Sequence, residues 1–163
     1  MITKKTPLKK ILEIGRECRR CGHCCRYGSG ALASDDIKNI SKYLDITEQK
    51  LKSDYLEEIE KFNTRLFRPK LIRKGKPYGQ CIFFDEGCSI NKVKPTECRT
   101  GNCGKHGEEL SKWFMLNYFV NEKDPESIRQ YSIYLKTQKP IKGGELENMI
   151  PKDRLKKILK FEI

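Results

Sequence analysis

Cys18-Arg19-Arg20-Cys21-Gly22-His23-Cys24-Cys25 places four thiols within eight residues, far more than packing asks for. A second group, Cys81, Cys88, Cys98 and Cys103, follows after a cysteine-free segment, so the eight cysteines form two groups of four with none left over. The pattern reads as two halves of a metal site around which the rest of the chain is organised.

Clustered cysteines can be disulfides, metal ligands or redox thiols, and the compartment helps to choose. The first residues carry Lys4, Lys5, Lys9 and Lys10 among Leu8, Ile11 and Leu12, without the continuous apolar run and small-residue cleavage site of a secretory signal. No window reaches the roughly 18 consecutive apolar residues of a membrane span. The expectation is a cytoplasmic protein with no membrane contact, where structural disulfides are rare and metal binding leads.

One helix over residues 18–25 would spread its thiols along about 10 Å of rise, too far for one ion. Gly22 argues instead for a tight turn that lets backbone amides approach a ligated sulfur. Cys18 and Cys21 then chelate locally. Cys24 and Cys25, read as neighbours in an extended chain, point opposite ways and are not expected to serve one centre alike. Thiolate-only sites suit both zinc and iron-sulfur clusters. The C-x-x-C-x-x-C run has the bacterial ferredoxin spacing without its fourth position and proline, whereas a zinc ribbon would show two C-x-x-C knuckles. An iron-sulfur cluster of the 4Fe-4S type is the favoured cofactor, with zinc the alternative; eight thiols allow two four-thiolate sites or one cluster with spare thiols.

The spacing of Leu8, Ile11, Leu12 and Gly15 predicts a helix over residues 7–16 with Pro7 at its first turn. Ser34 reads as the N-cap of a helix with Asp35 and Asp36 in its first turn and a stripe of Ile37, Ile40 and Leu44. Thr47 reads as the cap of another, in which Leu51, Tyr55, Leu56, Ile59 and Phe62 keep helical period while Glu57, Glu58 and Glu60 face water. Lys74-Gly75-Lys76-Pro77 is turn chemistry between two short strands, and Cys81-Ile82-Phe83-Phe84 begins a further strand-like run. Asp85-Glu86-Gly87 predicts a turn that lets Cys81 and Cys88 face each other, and Pro95 stiffens the approach to Cys98. Leu110, Trp113, Phe114, Leu116, Asn117 and Val120 give a helix with a wide apolar face. Pro125 opens a helix through Ile128, Tyr131, Ile133 and Leu135, Gly143-Gly144 marks a linker, and Pro151 opens a last helix with Leu155, Ile158 and Leu159 on one side. Trp113 and Phe114 read as core. His23 and His106 read as neighbours of the ligands or solvent-facing groups, and Glu97 as a surface carboxylate.

Arg65, Arg68, Lys70, Arg73, Lys74 and Lys76 run with no acidic residue between them, interleaved with Leu66, Phe67, Leu71, Ile72 and Tyr78. The formal charge of +12 counts every cysteine as neutral, and the chain stays basic after the thiols ionise and bind divalent cores. This strip is the candidate contact for nucleic acid or an acidic protein partner, weighed against a merely solvated surface.

The C-x-x-C-x-x-C-C run, the glycine-bearing loop after it, a helix opening Ser-Asp-Asp-Ile, and then C-x6-C with a later Lys-Pro-x-x-Cys-Arg resemble the YkgJ-type cysteine-cluster family. Its members are described as zinc- or iron-chelating, and flagellin lysine methylases carry a similar domain. The resemblance runs from Cys18 to about Cys103. It implies that Cys18, Cys21, Cys24, Cys25, Cys81, Cys88 and Cys98 are ligands, with Cys103 the eighth.

The expected fold is α+β, an α-rich single domain with small β-hairpin elements organised around a cysteine-ligated metal core. Residues 1–17 form a basic helical segment, 18–103 the cysteine-cluster domain and 104–163 a helical extension packed on it. Three functions are in play: an iron-sulfur protein for electron transfer or as accessory to a modifying enzyme, a zinc-stabilised module binding RNA or an acidic protein, and a metal-delivery or thiol-redox protein. No Ser-His-Asp set, phosphate loop or G-x-G-x-x-G fingerprint marks a stand-alone enzyme.

Overall fold

The computed structural model describes residues 1–33, 35–101 and 103–163, so Ser34, the expected helix cap, lies outside the described residues. Helix α1 (Leu8–Gly15) follows Pro7, whose extended backbone makes it the N-cap, and α2 (His23–Tyr27) opens after Gly22. Helices α3 (Asp36–Leu44) and α4 (Glu48–Asp54) come next, the second capped by the Thr47 side chain, which accepts from the Lys50 N–H. Strands β1 (Leu56–Lys61) and β2 (Thr64–Pro69) form one antiparallel hairpin, and β3 (Leu71–Ile72) and β4 (Gln80–Cys81) another. Helices α5 (Thr96–Thr100), α6 (Gly107–Phe114), α7 (Pro125–Tyr134), α8 (Leu146–Met149) and α9 (Lys152–Leu159) complete the chain, with a π-helical turn over Met115–Phe119. This is the α-rich α+β architecture expected, and no helix among the described residues is long and apolar enough to cross a membrane.

The helix expected to run from Thr47 to Phe62 is overturned. It stops at Asp54, and Leu56–Lys61 extends against β2 in a register that pairs Glu57 with Arg68 and Glu60 with Arg65. Phe62 and Asn63 both take positive φ, which closes the two-residue hairpin, a conformation that asparagine tolerates better than most residues. Cross-strand pairing and the turn override a spacing that satisfied helical period. Glu57 consequently does not face water. It accepts from Arg68, from both terminal nitrogens of Arg73 and from the Leu71 N–H, so it ties β1 to β2 and β3. Two strands do flank Lys74–Pro77, each only two residues long, but the further strand-like run expected to begin at Cys81 does not form, because the chain turns at Ile82 and Phe83.

Two clusters of buried side chains hold the molecule. The larger joins Ile2 and Ile11 to Leu110, Trp113, Phe114, Phe119, Ile128, Tyr131 and Ile158, so the first residues and the C-terminal helices share one core. Trp113 is buried as expected, its indole N–H donating to the Thr6 carbonyl. Gly143-Gly144 is no linker. Lys142 bridges to Thr3, the Tyr131 hydroxyl donates to the Gly144 carbonyl, and a Cβ on Gly144 would stand 2.7 Å from Leu116 Cδ1. Ile133, expected on the buried face of α7, is 63% exposed. The smaller cluster packs Leu32, Ile40, Leu51, Leu56, Phe83 and Ile90 with Cys81, and Cys25 and Cys88 pack against it.

The Arg73 guanidinium, with help from Leu71 and Arg68, holds the Glu57 carboxyl down at about 2, against the opposing effect of its partial burial. A depressed carboxylate adds stability above its unfolded value that is lost as pH falls through the folded one, here between roughly 4.5 and 2, on the order of 2–3 kcal/mol. Urea unfolding at stepped pH is expected to show Glu57→Gln less stable than the native chain at pH 7, with the two converging by about pH 2.

Candidate metal centre

The first cysteine loop is built by two backbone features. Arg20 and Gly22 both take positive φ, so the chain turns sharply between Cys18 and His23. Gly22 lies against the Phe84 ring, where a Cβ would come within 2.8 Å, and the Arg26 guanidinium sits 5.3 Å from the centre of the same ring. The expected turn at Gly22 is therefore present, and it seats the loop on the segment between Cys81 and Cys88. Cys24 and Cys25, however, are not in extended chain. Both lie on α2, and the Cys25 thiol hydrogen-bonds to the Cys24 sulfur, holding Cys24 down at about 6.

The second group arrives from three directions. Cys81 ends β4, which packs against α2, and is 9% exposed. Cys88 is paired with Phe84 across the expected Asp85–Gly87 turn. Cys98 sits in the middle of α5, which Pro95 leads in as N-cap. Burial pushes Cys81 up to about 11 and raises Cys88; burial and the neighbouring Glu97 charge raise Cys98. Cys25 is raised by its bond to Cys24, by burial, and by the charges of Cys24, Cys98 and Cys81. Cys24, Cys25, Cys81, Cys88 and Cys98 thus share one electrostatic environment although they come from four separate segments.

Cys18, after the end of α1, is half-buried like Cys25, Cys88 and Cys98, while Cys21, Cys24 and Cys103 are exposed. Among the described residues no three cysteine, histidine, aspartate or glutamate side chains converge as a ready-made clasp for one ion. His23 is exposed against the Tyr27 ring, and His106 Nδ1 stands 3.3 Å from Glu109.

Several features lay beyond sequence reasoning. Glu97 is no surface carboxylate: its Oε2 accepts from the Ala31 N–H, while the Glu97 N–H donates to the Ala31 carbonyl. Gly30 lies directly over Cys98, and a Cβ there would stand 2.4 Å from the sulfur. Backbone amides near the sulfurs oppose the rise of these thiols, Gly30 at Cys98, Phe83 at Cys81 and Ile90 at Cys88. The glycine flanking Ser29 was the only trace of this in the sequence.

Amide donors to sulfur favour the thiolate, the form that binds metal. Arg99 Nε, one residue along from Cys98, is buried with no hydrogen-bond partner among the described residues. An all-sulfur donor set with backbone amides near several of the sulfurs suits a thiophilic metal core.

The family model CxxCxxCC, "Putative zinc- or iron-chelating domain", matches residues 17–117. The chain belongs to this family. The CxxCxxCC match begins one residue before Cys18 and ends in the π-helical turn after α6, so it takes in every cysteine and extends past Cys103, where the sequence resemblance stopped. No curated protein and no solved structure matches the chain.

Overpacking at Gly30 is expected to displace the Cys98 sulfur. Gly30→Ala should lower the metal bound per chain at least twofold, whereas Gly28→Ala, whose Cβ would meet nothing nearer than 3.9 Å, should leave it unchanged. Metal analysis after gel filtration compares the two. Because most of the grouped thiols are raised and must lose protons to bind, metal affinity is also expected to climb with pH between 6 and 9, measured by competition with a chelator of known pH dependence.

Proposed function

We propose that the CxxCxxCC domain of this chain holds an iron-sulfur cluster and serves in electron transfer, or as the electron-supplying accessory of a modifying enzyme. The observation that supports this reading is that Cys25 of α2, Cys81 of β4 and Cys88 of the turn after it pack on one buried cluster, with the charges of Cys24 on α2 and Cys98 on α5 acting on the same thiols. A tetrahedral zinc ion takes four sulfurs at one point. A cluster presents several iron atoms, each able to take a thiolate, and so suits ligands that approach from separate segments. The C-x-x-C-x-x-C spacing of Cys18, Cys21 and Cys24 supports the same choice. When bound, such a cluster supplies one-electron chemistry. The chain's own part is to bury Cys81, to half-bury Cys18, Cys25, Cys88 and Cys98, and to bring backbone amides near several of the sulfurs, which stabilises negative charge there. The ligand set on this reading is Cys18, Cys21, Cys24, Cys25, Cys81, Cys88, Cys98 and Cys103.

Protein purified without oxygen is expected to be brown, absorbing near 400 nm, with on the order of four to eight irons and matching acid-labile sulfide per chain. Cys98→Ser should lose the colour and lower the melting temperature, since cluster binding is also folding energy. A colourless protein containing about two zinc ions and no sulfide would overturn the reading in favour of a zinc-stabilised module.

A further inference from the structure

The basic strip of residues 65–76 does not act as one surface. Arg68 and Arg73 are held by Glu57, Arg65 stands 3.5 Å from Glu60 and 3.8 Å from Glu58, and the Lys70 ammonium donates to the Ser53 carbonyl. Acids on β1 answer the cations of β2, so the charge run visible in sequence is largely neutralised across the hairpin. Lys74 and Lys76 escape this. Both are exposed at the tip of the β3–β4 hairpin, together with Tyr78, whose ring lies 5.6 Å beneath the Lys76 ammonium.

These residues line one side of a cleft of about 330 Å³ whose other wall is Arg26 of α2, and none of its lining residues is acidic. Tyr27, next to Arg26, is 54% exposed and its ring centre lies 5.8 Å from that of Tyr78, itself 44% exposed. Two accessible rings beside three cations make a distinctive combination. An acidic peptide needs only the cations, and a duplex keeps its base faces stacked out of reach. Single strands use both, since phosphates pair with cations while unstacked bases lie on aromatic faces.

We propose that the cleft between α2 and the β3–β4 hairpin binds single-stranded nucleic acid, taking phosphates on Arg26, Lys74 and Lys76 and a base on Tyr78. Arg26 follows Cys25 and Gln80 precedes Cys81, so the strand would lie beside the cysteine group. The inference does not depend on which metal the thiols hold.

The test is fluorescence anisotropy of a labelled twelve-nucleotide single-stranded RNA with metal-loaded full-length protein over a salt series. Each phosphate contact contributes a log-log slope of about 0.7 on single strands, so Lys74→Ser with Lys76→Ser should reduce the slope by about 1.4 and the affinity about tenfold. Tyr78→Ala should weaken binding about fivefold or more and leave the slope unchanged, because it removes stacking and no charge. Arg65→Ser, on the neutralised face, should change neither. Metal content and melting temperature, measured alongside, are expected to stay native in all three variants, since the altered side chains are exposed. An unchanged slope in the lysine double variant would overturn the proposal, as would a loss in Arg65→Ser equal to that of the lysines. Displacement of the RNA by polyglutamate as effectively as by unlabelled RNA would assign the cleft to an acidic protein instead.

Discussion

The Asp36 carboxylate is the constraint on which the cysteine half depends. It is 2% exposed, and its oxygens accept from the Ala33 N–H at 2.8 Å, the Thr96 N–H at 2.7 Å and the Arg99 guanidinium at 3.1 Å. A buried carboxylate stripped of partners costs several kcal/mol, so the arrangement admits very little slippage between the start of α3 and the start of α5. Glu97 fixes the same two segments from the opposite side through Ala31. The loop leading into α3 is stitched to β2 as well, with Ser29 donating to the Pro69 carbonyl and the Leu32 N–H to that of Phe67. Gly30 is thereby set over Cys98. On its far side α5 receives α1, where Gly15 leaves so little room that a Cβ would stand 2.2 Å from the Arg99 carbonyl oxygen. The position of one thiol thus follows from two carboxylates and two glycines.

The two halves of the molecule are held differently. The C-terminal helices and the first residues bury large aromatic and aliphatic side chains in one cluster, with Phe62 at the β1–β2 turn set edge-on against Tyr131 and Tyr134. The cysteine half has short helices, short strands and a smaller apolar cluster that counts Cys81 among its buried members. A core of this size gains from a covalent or metal staple. Gly30, which leaves no room for a Cβ over the Cys98 sulfur, shows the backbone closing on sulfur as well as on hydrocarbon.

Much of this was legible in the sequence, where the signal was local. Pro7, Thr47, Pro125 and Pro151 announced helix starts because a fixed φ or a side-chain cap acts within one turn. Gly22 and the Lys74–Pro77 turn were legible for the same reason. The second hairpin partner was not: Leu56, Ile59 and Phe62 satisfy helical spacing, and only the pairing of Glu57 with Arg68 across the sheet shows that a strand was meant. Asp36, Glu97 and Gly30 were read in the wrong role or missed because their partners are about 60 residues away, at Thr96, Ala31 and Cys98. All eight cysteines could be counted in advance. Which of them meet could not, since that depends on the long-range placement of α5 and β4.

The same distinction governs the charge. A run of cations without intervening acids looks like an interaction surface when read along the chain, but in a hairpin the relevant neighbours lie across the strand. Glu57, Glu58 and Glu60 answer Arg65, Arg68 and Arg73, so most of the formal excess on this hairpin is structural, and the exposed Arg65 pairs add little to stability. The cations left over are those whose sequence neighbours are Gly75, Pro77 and Tyr78, where no strand partner is available to supply an acid. They face Arg26, which the cysteine loop contributes. The fold therefore moves the uncommitted positive charge away from the strand that carries the densest run of arginines and sets it beside the thiols.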